Sequence, residues 1–230
     1  MAALRLLAAL GLVGAAGGCS CSEPKWCKPL STPPSDHEIF PFVIPGSTPG
    51  VKDNVTDDWF TTFRWDLITT AAWAIGENET ICYAHKHGAR VVTAYAMGLY
   101  GGGSAHETYL QLMFNKTARA AWIQTEVAKL NDLGADGITF DIEGNEAVKN
   151  FTADALTDFL TELRTEAEKT NPHFQLSFET PVYPAQPQLV HANNWSAMIK
   201  PNGPVDFYVP MGCASPKPFD SFVNFTFPDP

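Results

Sequence analysis

The stretch "GADGITFDIEGNEA", residues 134–147, places acidic residues inside an apolar run of the length of a buried β-strand. Side chains on a strand alternate between its two faces, so one face carries Gly137, Thr139, Asp141 and Glu143, while Asp136 starts the strand on the other. Two neighbouring carboxyl groups on a partly desolvated face cannot both ionise easily, so one pKa must rise. Glu143, nearest the strand end, is the expected general acid, with Asp141 below it. The structural alternative is a buried ion pair, yet among the predicted strands only the third contains a basic residue.

Around this strand the sequence alternates between extended and helical patterns. Besides the quoted one, strands are predicted at 37–44, 66–75, 89–97, 174–180 and 205–211. A short helix is expected to end at Gly88 as its C-cap, and longer helices are predicted at 116–133 and 153–169. The buried face of the 116–133 helix is expected to carry the apolar residues 120, 123, 127 and 130. That of the 153–169 helix is expected to carry Leu156, Phe159, Leu160, Leu163 and Ala167.

This alternation is typical of a parallel sheet with helical crossovers, an α/β fold. An open doubly wound sheet would carry a Gly-rich phosphate turn after its first strand, and "IPGSTPG" (44–50) is not one. We therefore expect a (β/α) barrel of the TIM type, with Asp141 and Glu143 at the carboxyl end of a strand, where such barrels place their active sites. Six strands are visible where a complete barrel has eight, so the barrel is expected to be truncated after the sixth.

Signals of the secretory route precede the barrel. Residues 1–18 resemble a signal peptide, with a bacterial lipoprotein site at Cys19 as the alternative, 19–36 form a Cys-rich segment, and 37–230 the incomplete barrel domain. Six glycosylation sequons begin at Asn54, Asn78, Asn115, Asn150, Asn194 and Asn224. The clustered Cys19, Cys21 and Cys27 indicate disulfides rather than zinc, with Cys82 as a distant partner, Cys213 left over and the connectivity open.

The chain has 230 residues and a formal net charge of -10. This acidity argues against nucleic acid as a partner, and no stretch is long and apolar enough to be trusted as a membrane span, so a neutral substrate is expected. Tyr83, His85 and His87 are expected to cap or decorate a helix rather than bind metal, because no third ligand is spaced to complete a metal site. The tryptophans Trp65, Trp73 and Trp122 are expected in the core, with Trp73 as a candidate for lining the site.

The residues "DGITFDIE" (136–143) resemble the D-G-x-[DN]-x-D-x-E signature of glycoside hydrolase family 18, the chitinases and their relatives. The segments "CSCSEPKWCKP", "ICYAHKHGARVV", "AAWI" and "VDFYVPM" are similar to a lysosomal, chitobiose-cleaving branch of that family. The resemblance implies a retaining mechanism in which the substrate's own acetamido group is the nucleophile. Glu143 would protonate the glycosidic oxygen, Asp141 would hold the acetamido N–H, and Asp136 would support the strand by hydrogen bonding, with no cofactor and no metal.

The sequence also departs from this family. Thr139 stands where the family has an acid or amide that partners Asp141, and Met211 is followed by Gly-Cys-Ala where the family reads Met-x-Tyr-Asp. The expected substrate is an oligosaccharide, either chitobiose and its longer homologues or the trimmed core of an N-glycan, contacted by Met211 and Trp73. The alternatives are a catalytically impaired glycan-binding, lectin-like relative and a glycoprotein without sugar chemistry. Resemblance favours the lysosome over secretion, and a complete barrel would be a monomer.

Overall fold

The computed structural model describes residues 21–43, 59–73, 78–98, 104–143, 153–181 and 203–211. Six parallel strands form one sheet: β1 Phe42–Val43, β2 Thr70–Trp73, β3 Arg90–Gly98, β4 Gly137–Glu143, β5 Gln175–Pro181 and β6 Phe207–Met211. The helices are α1 Asn78–Lys86, α2 Ser104–Phe114, α3 Lys116–Leu133 and α4 Ala153–Ala167. Two 3₁₀ turns, Pro24–Cys27 and Trp59–Thr62, precede β1 and β2 respectively.

The strands lie side by side in the order of the chain, β1 to β6, as in a (β/α) barrel. Strong curvature is visible inside the sheet, because Thr70 Oγ1 of β2 donates to Gln175 Oε1 of β5 at 3.1 Å although two strands separate them. The rings of Phe40, just before β1, and Phe207 of β6 also meet, with centroids 5.1 Å apart. These contacts confirm the barrel architecture predicted from the sequence, since a doubly wound sheet reverses its strand order and stays open.

Helix α3 shows how local sequence sets an element's limits. Asn115 caps its first turn by accepting a hydrogen bond from the backbone N–H of Ala118 at 3.1 Å. Gly134 ends it in the left-handed conformation, with φ at 74°. A side chain at Gly134 would have its Cβ 2.6 Å from the carbonyl oxygen of Cys27, so this glycine also lets the N-terminal segment pass closely. The observed bounds of α3 match the predicted ones.

The buried faces of the helices are confirmed in one case and corrected in another. In α4 all five predicted residues are buried: Leu156, Phe159, Leu160, Leu163 and Ala167. In α3 the predicted Ala120 is exposed, and its neighbour Arg119 is buried instead. The guanidinium of Arg119 donates to the carbonyl oxygens of Leu112 and Met113 and pairs with Glu162, so an ionic contact occupies the position where an apolar one was predicted.

Helix α2 has no counterpart in the sequence-based prediction. Its amphipathic pattern is weak, and Leu112 and Met113, near its end, are buried. It packs beside α3 and α4, and the guanidinium of Arg119 satisfies two of its final carbonyl groups. Tertiary packing and this side-chain cap, rather than periodicity, account for the helix.

The two faces of the sheet have different surroundings. One face packs on the helices and includes Ile138, Phe140, Leu176 and Phe178 together with the buried faces of α3 and α4. A chain of aromatic contacts ties the layers together: Tyr95 to Trp122, Trp122 to Phe159, and Phe159 to Phe140, with centroids 5.2 to 5.6 Å apart. Trp65 is buried in a second cluster against α1. The other face points into the barrel.

A disulfide fastens the N-terminal segment to the barrel by joining Cys21 to Cys82 of α1. The predicted long-range partnership of Cys82 is thereby confirmed, and its partner is identified as Cys21. Cys27 is disulfide-bonded as well. Cys19 and Cys213 lie outside the described residues.

Several predictions concern parts of the chain that the structure does not describe. These are the signal peptide at 1–18 and the sequons at Asn54, Asn150, Asn194 and Asn224. Of the other two sequon asparagines, Asn78 is the first residue of α1 and Asn115 is exposed at the start of α3. None of the helices in the described ranges is long and apolar enough to cross a membrane.

Candidate active site

The candidate site is built from residues that lie side by side on adjacent strands and share the barrel-facing side of the sheet. We call each such set a row. The lower row consists of Ala94, Thr139, Ser177 and Phe207, which are in register across β3 to β6. One step toward the carboxyl ends is the upper row, in which Asp141 is in register with Ala96 of β3, and Glu179 of β5 with Val209 of β6.

The rim row stands one step further along the strands. It places Glu143 in register with Gly98 of β3, and Pro181 of β5 in register with Met211 of β6. The backbone therefore puts Asp141 and Glu143 on one face at the carboxyl end of β4, the end at which barrel enzymes hold their active sites. Asp141 is half-buried, and the side chains of Glu143 and Met211 lie outside the described part of the structure.

Trp73 occupies a different face from these carboxyl groups. It is in register with Val43 of β1 and Thr93 of β3. Strand alternation puts these three residues on the helix-facing side of the sheet, together with Ala71 and Val91. The register thus separates Trp73 from the row of Asp141, and its side chain is outside the described part of the structure.

The barrel-facing side is unusually polar below the upper row. Thr139 and Ser177 are fully buried, and neither hydroxyl oxygen has a hydrogen-bond partner among the described residues. Burying a hydroxyl group without a hydrogen bond costs about 1–3 kcal/mol. Barrel interiors are ordinarily filled by branched apolar side chains, so this polarity indicates a functional surface rather than one selected for stability.

Glu179 is the site residue that sequence reasoning missed. It is only 7% exposed and follows Phe178, whose register partner on β4 is Phe140, the residue before Asp141. The signal in the sequence was that Glu179 is an acidic residue in the apolar strand "FQLSFET". It stands two residues after the inward-facing Ser177 and therefore on the same face of the strand. Without the pairing of β4 and β5, nothing related this carboxyl group to Asp141.

Asp136 lies at the opposite end of β4 and is fully buried. Its Oδ1 accepts a hydrogen bond from the backbone N–H of Leu30 at 2.7 Å, and its Oδ2 accepts one from the backbone N–H of Val91, also at 2.7 Å. His85 Nε2 stands 2.8 Å from Oδ2, and Arg90 lies 3.7 Å from Oδ1. Asp136 thus joins the N-terminal segment, α1, β3 and β4 at the amino end of the barrel, away from the candidate site.

The prediction that His85 caps or decorates its helix is wrong. Its side chain is fully buried, because α1 turns it toward the carboxylate of Asp136 and the carbonyl oxygen of Trp26. Burial by itself lowers the pKa of His85, but the hydrogen bond and charge of Asp136, together with the carbonyl of Trp26, outweigh burial and raise the pKa above its ordinary value.

Among the described residues, no group of three or more His, Cys, Asp or Glu side chains could hold a metal ion.

Comparison with known proteins identifies the family. The chain is 31% identical to bovine (Bos taurus) di-N-acetylchitobiase over 150 residues, which is 65% of this chain and 73% of that protein. The chain belongs to the di-N-acetylchitobiase family. Mouse (Mus musculus) di-N-acetylchitobiase is 32% identical over 165 residues, 71% of this chain and 39% of the mouse protein. The family resemblance inferred from the sequence is thereby confirmed.

Two further findings complete the comparison. A GH18 chitinase from Pseudoalteromonas aurantia has a TM-score of 0.43 with this structure at 16% identity, covering 63% of this chain and 60% of the chitinase. No protein-family model matches the chain. Against the mouse, rat and human members of the di-N-acetylchitobiase family, this chain spans between 33% and 39% of their length.

Proposed function

We propose that the protein is a glycoside hydrolase that cleaves β-1,4 bonds between N-acetylglucosamine residues. Its substrates would be chitobiose and short chito-oligosaccharides, or the corresponding core of trimmed N-glycans. The observation that carries the proposal is the placement of Asp141 and Glu143 on the barrel-facing side of β4, at successive inward positions of its carboxyl end. Membership of the di-N-acetylchitobiase family supports the same chemistry.

The proposed mechanism uses the substrate as its own nucleophile. Glu143 donates a proton to the glycosidic oxygen while the carbonyl oxygen of the 2-acetamido group attacks the anomeric carbon, so the carbon–oxygen bond to the leaving sugar breaks. Asp141 accepts the acetamido N–H and stabilises the oxazolinium ion that forms. Water then attacks the anomeric carbon as its bond to the acetamido oxygen breaks, which regenerates the acetamido group. The water gives its proton to Glu143, which restores the acid, and the anomeric configuration is retained.

We place the protein in the secretory route, with the lysosome as its destination. The disulfide between Cys21 and Cys82 supports an oxidising route of synthesis. An acidic compartment also agrees with the His85–Asp136 pair, whose contribution to stability is greatest at acidic pH. Met211 of the rim row remains a proposed substrate contact, whereas the register of Trp73 with Thr93 gives it no support for that role.

The decisive experiment compares the unaltered protein with Glu143→Gln on chitobiose and longer oligomers. We expect kcat/KM to fall by at least about a hundredfold, since loss of a positioned general acid costs this much or more. Glu79→Gln, on the exposed first turn of α1, is the matched control and should leave turnover unchanged. Activity of the unaltered protein should also decline above neutral pH, because the acid must hold its proton.

Two results would contradict this proposal. Equal rates for the unaltered protein and Glu143→Gln would remove Glu143 from the mechanism. Measurable binding of chito-oligosaccharides by a well-folded protein without any turnover would instead identify a glycan-binding relative. An NMR assay of the first-formed product distinguishes the mechanism, since a substrate-assisted reaction retains the β-anomer.

A further inference from the structure

We infer that Glu179 and Asp141 form a carboxyl pair that shares one proton, in which Glu179 acts as a positioning residue for Asp141. This inference rests on the proposed function for its catalytic consequence, but the pair itself can be tested without turnover. It assigns a role to a buried acid on β5 that the mechanism described above does not use.

The first support is the register of the two strands. Thr139 is in register with Ser177, and Phe140 with Phe178. The next residues along the two parallel strands are Asp141 and Glu179. Because side chains alternate along a strand, both belong to the barrel-facing side. Adjacent strands are about 4.8 Å apart, so carboxyl groups at equivalent positions face the same space.

The second support is the burial and charge of that space. Glu179 is 7% exposed, and Asp141 is half-buried. The flanking positions in the upper row are Ala96 and Val209, and those in the lower row are Ala94, Thr139, Ser177 and Phe207. None of these neighbours carries a charge, and among the strand residues that the structure describes on this side the remaining acid, Glu143, stands one row above. Two carboxyl groups in such surroundings cannot both ionise easily, so they hold one proton between them.

The third support comes from the hydroxyl groups directly beneath. Thr139 and Ser177 are fully buried and have no hydrogen-bond partner among the described residues, although each lies on the barrel-facing side one row below the pair. They are unpartnered donors beside a site that holds one negative charge. In the pH range where carboxyl groups titrate, the hydroxyl group of Thr139 neither takes up nor releases a proton, so Thr139 cannot be the group that shares one with Asp141. The carboxyl group of Glu179 can.

The pair would fix the orientation of Asp141 during catalysis. The protonated carboxyl group of Glu179 donates to one oxygen of Asp141 and leaves the other oxygen to accept the substrate's acetamido N–H. Glu179 keeps its proton throughout, since the proton that moves in the reaction travels between Glu143, the leaving group and water. The amide of a glutamine at position 179 could replace this donor, and an apolar side chain could not.

An infrared measurement tests the pair independently of activity. The variant Glu143→Gln serves as background, so that Glu143 contributes no signal from a protonated carboxyl group. At about pH 6, where ordinary carboxyl groups are ionised, this variant should show the carbonyl stretch of one protonated acid. Adding either Glu179→Gln or Asp141→Asn should abolish it, because the remaining carboxyl group then ionises alone. Persistence of the band in either double variant would overturn the inference.

A kinetic comparison tests the positioning role. We expect Glu179→Leu to lower kcat by on the order of tenfold to a hundredfold with little change in KM, as misplacement of a catalytic group does. Glu179→Gln should restore most of the loss, and Ser177→Ala, one row below on the same strand, should have the smaller effect. Equal losses in Glu179→Gln and Glu179→Leu would show that the donor is irrelevant and would overturn the positioning role.

The two proposals fail in distinguishable ways. If the unaltered protein turns over no chito-oligosaccharide while the infrared band depends on both Asp141 and Glu179, the proposed function fails and the carboxyl pair stands. If turnover requires Glu143 but the band is insensitive to position 179, the hydrolase stands and the pair is refuted.

Discussion

His85 Nε2 lies 2.8 Å from Asp136 Oδ2, and neither side chain is exposed to solvent. The other ring nitrogen, Nδ1, lies 2.8 Å from the carbonyl oxygen of Trp26. A carbonyl oxygen can only accept a hydrogen bond, and an ionised carboxylate likewise. Both ring nitrogens must therefore donate, which requires the protonated imidazolium. The geometry thus explains why the pKa of His85 is raised despite its burial.

We predict that the protein is more stable at acidic than at alkaline pH. Since the folded-state pKa of His85 is raised above 6.5, the stabilisation is fully present below that pH and is lost as the pH rises through the raised value. Urea unfolding followed between pH 5.5 and 9 should show this decline. The variant His85→Gln should flatten it, whereas His87→Gln, in the exposed turn just after α1, should preserve the slope. An unchanged slope in His85→Gln would contradict the assignment.

The same cluster predicts a large effect of removing its anion. Asp136→Ala leaves the backbone N–H groups of Leu30 and Val91 without their acceptor and His85 without its counter-charge. We expect a loss of about 3–5 kcal/mol in the free energy of unfolding, as for other broken buried ion pairs. Asp136→Asn should lose less, since its amide oxygen can still accept. Both variants should be assayed by urea unfolding at constant pH.

A substitution at Gly137 tests how closely β4 and β5 approach each other. A Cβ atom there would stand 1.9 Å from the backbone carbonyl oxygen of Gln175, so the strands would have to separate. We expect Gly137→Ala to destabilise the protein by about 1–3 kcal/mol or more. Gly88→Ala is the control, because its Cβ would meet nothing within 4 Å and its cost is confined to the left-handed backbone at φ 77°. Thermal unfolding compares the two, and a smaller loss at position 137 would contradict the packing.

Substitution of Arg119 tests the ionic contact that joins α3 to α4 and to the end of α2. It donates to Glu162 at 2.8 and 2.6 Å and to the final carbonyl groups of α2. Because Arg119 is buried, Arg119→Met should cost about 3 kcal/mol in the free energy of unfolding. Glu162→Gln should cost less, since the Glu162 side chain is 44% exposed. Equal stabilities of Arg119→Met and the unaltered protein would show that apolar packing can replace the contact.

The sequence alone predicted the elements whose signals are local. The bounds of α3 and the apolar face of α4 were predicted from spacing within the sequence, and the structure places those helices as expected. Strand parity within β4 likewise needed no partner, so the common face of Asp141 and Glu143 followed from alternation alone. The order of strands and helices then sufficed for the barrel.

What tertiary structure decided involves residues distant in sequence. Glu179 is brought level with Asp141 only through the register of β5 on β4, which depends on backbone pairing rather than on either sequence by itself. His85 is buried because α1 packs it against Asp136, and Arg119 replaces Ala120 in the interior because Glu162 on another helix supplies its counter-charge. Each exception is an ionisable side chain, since burying such a group is favourable only when a particular partner is brought to it, and local periodicity does not specify that partner.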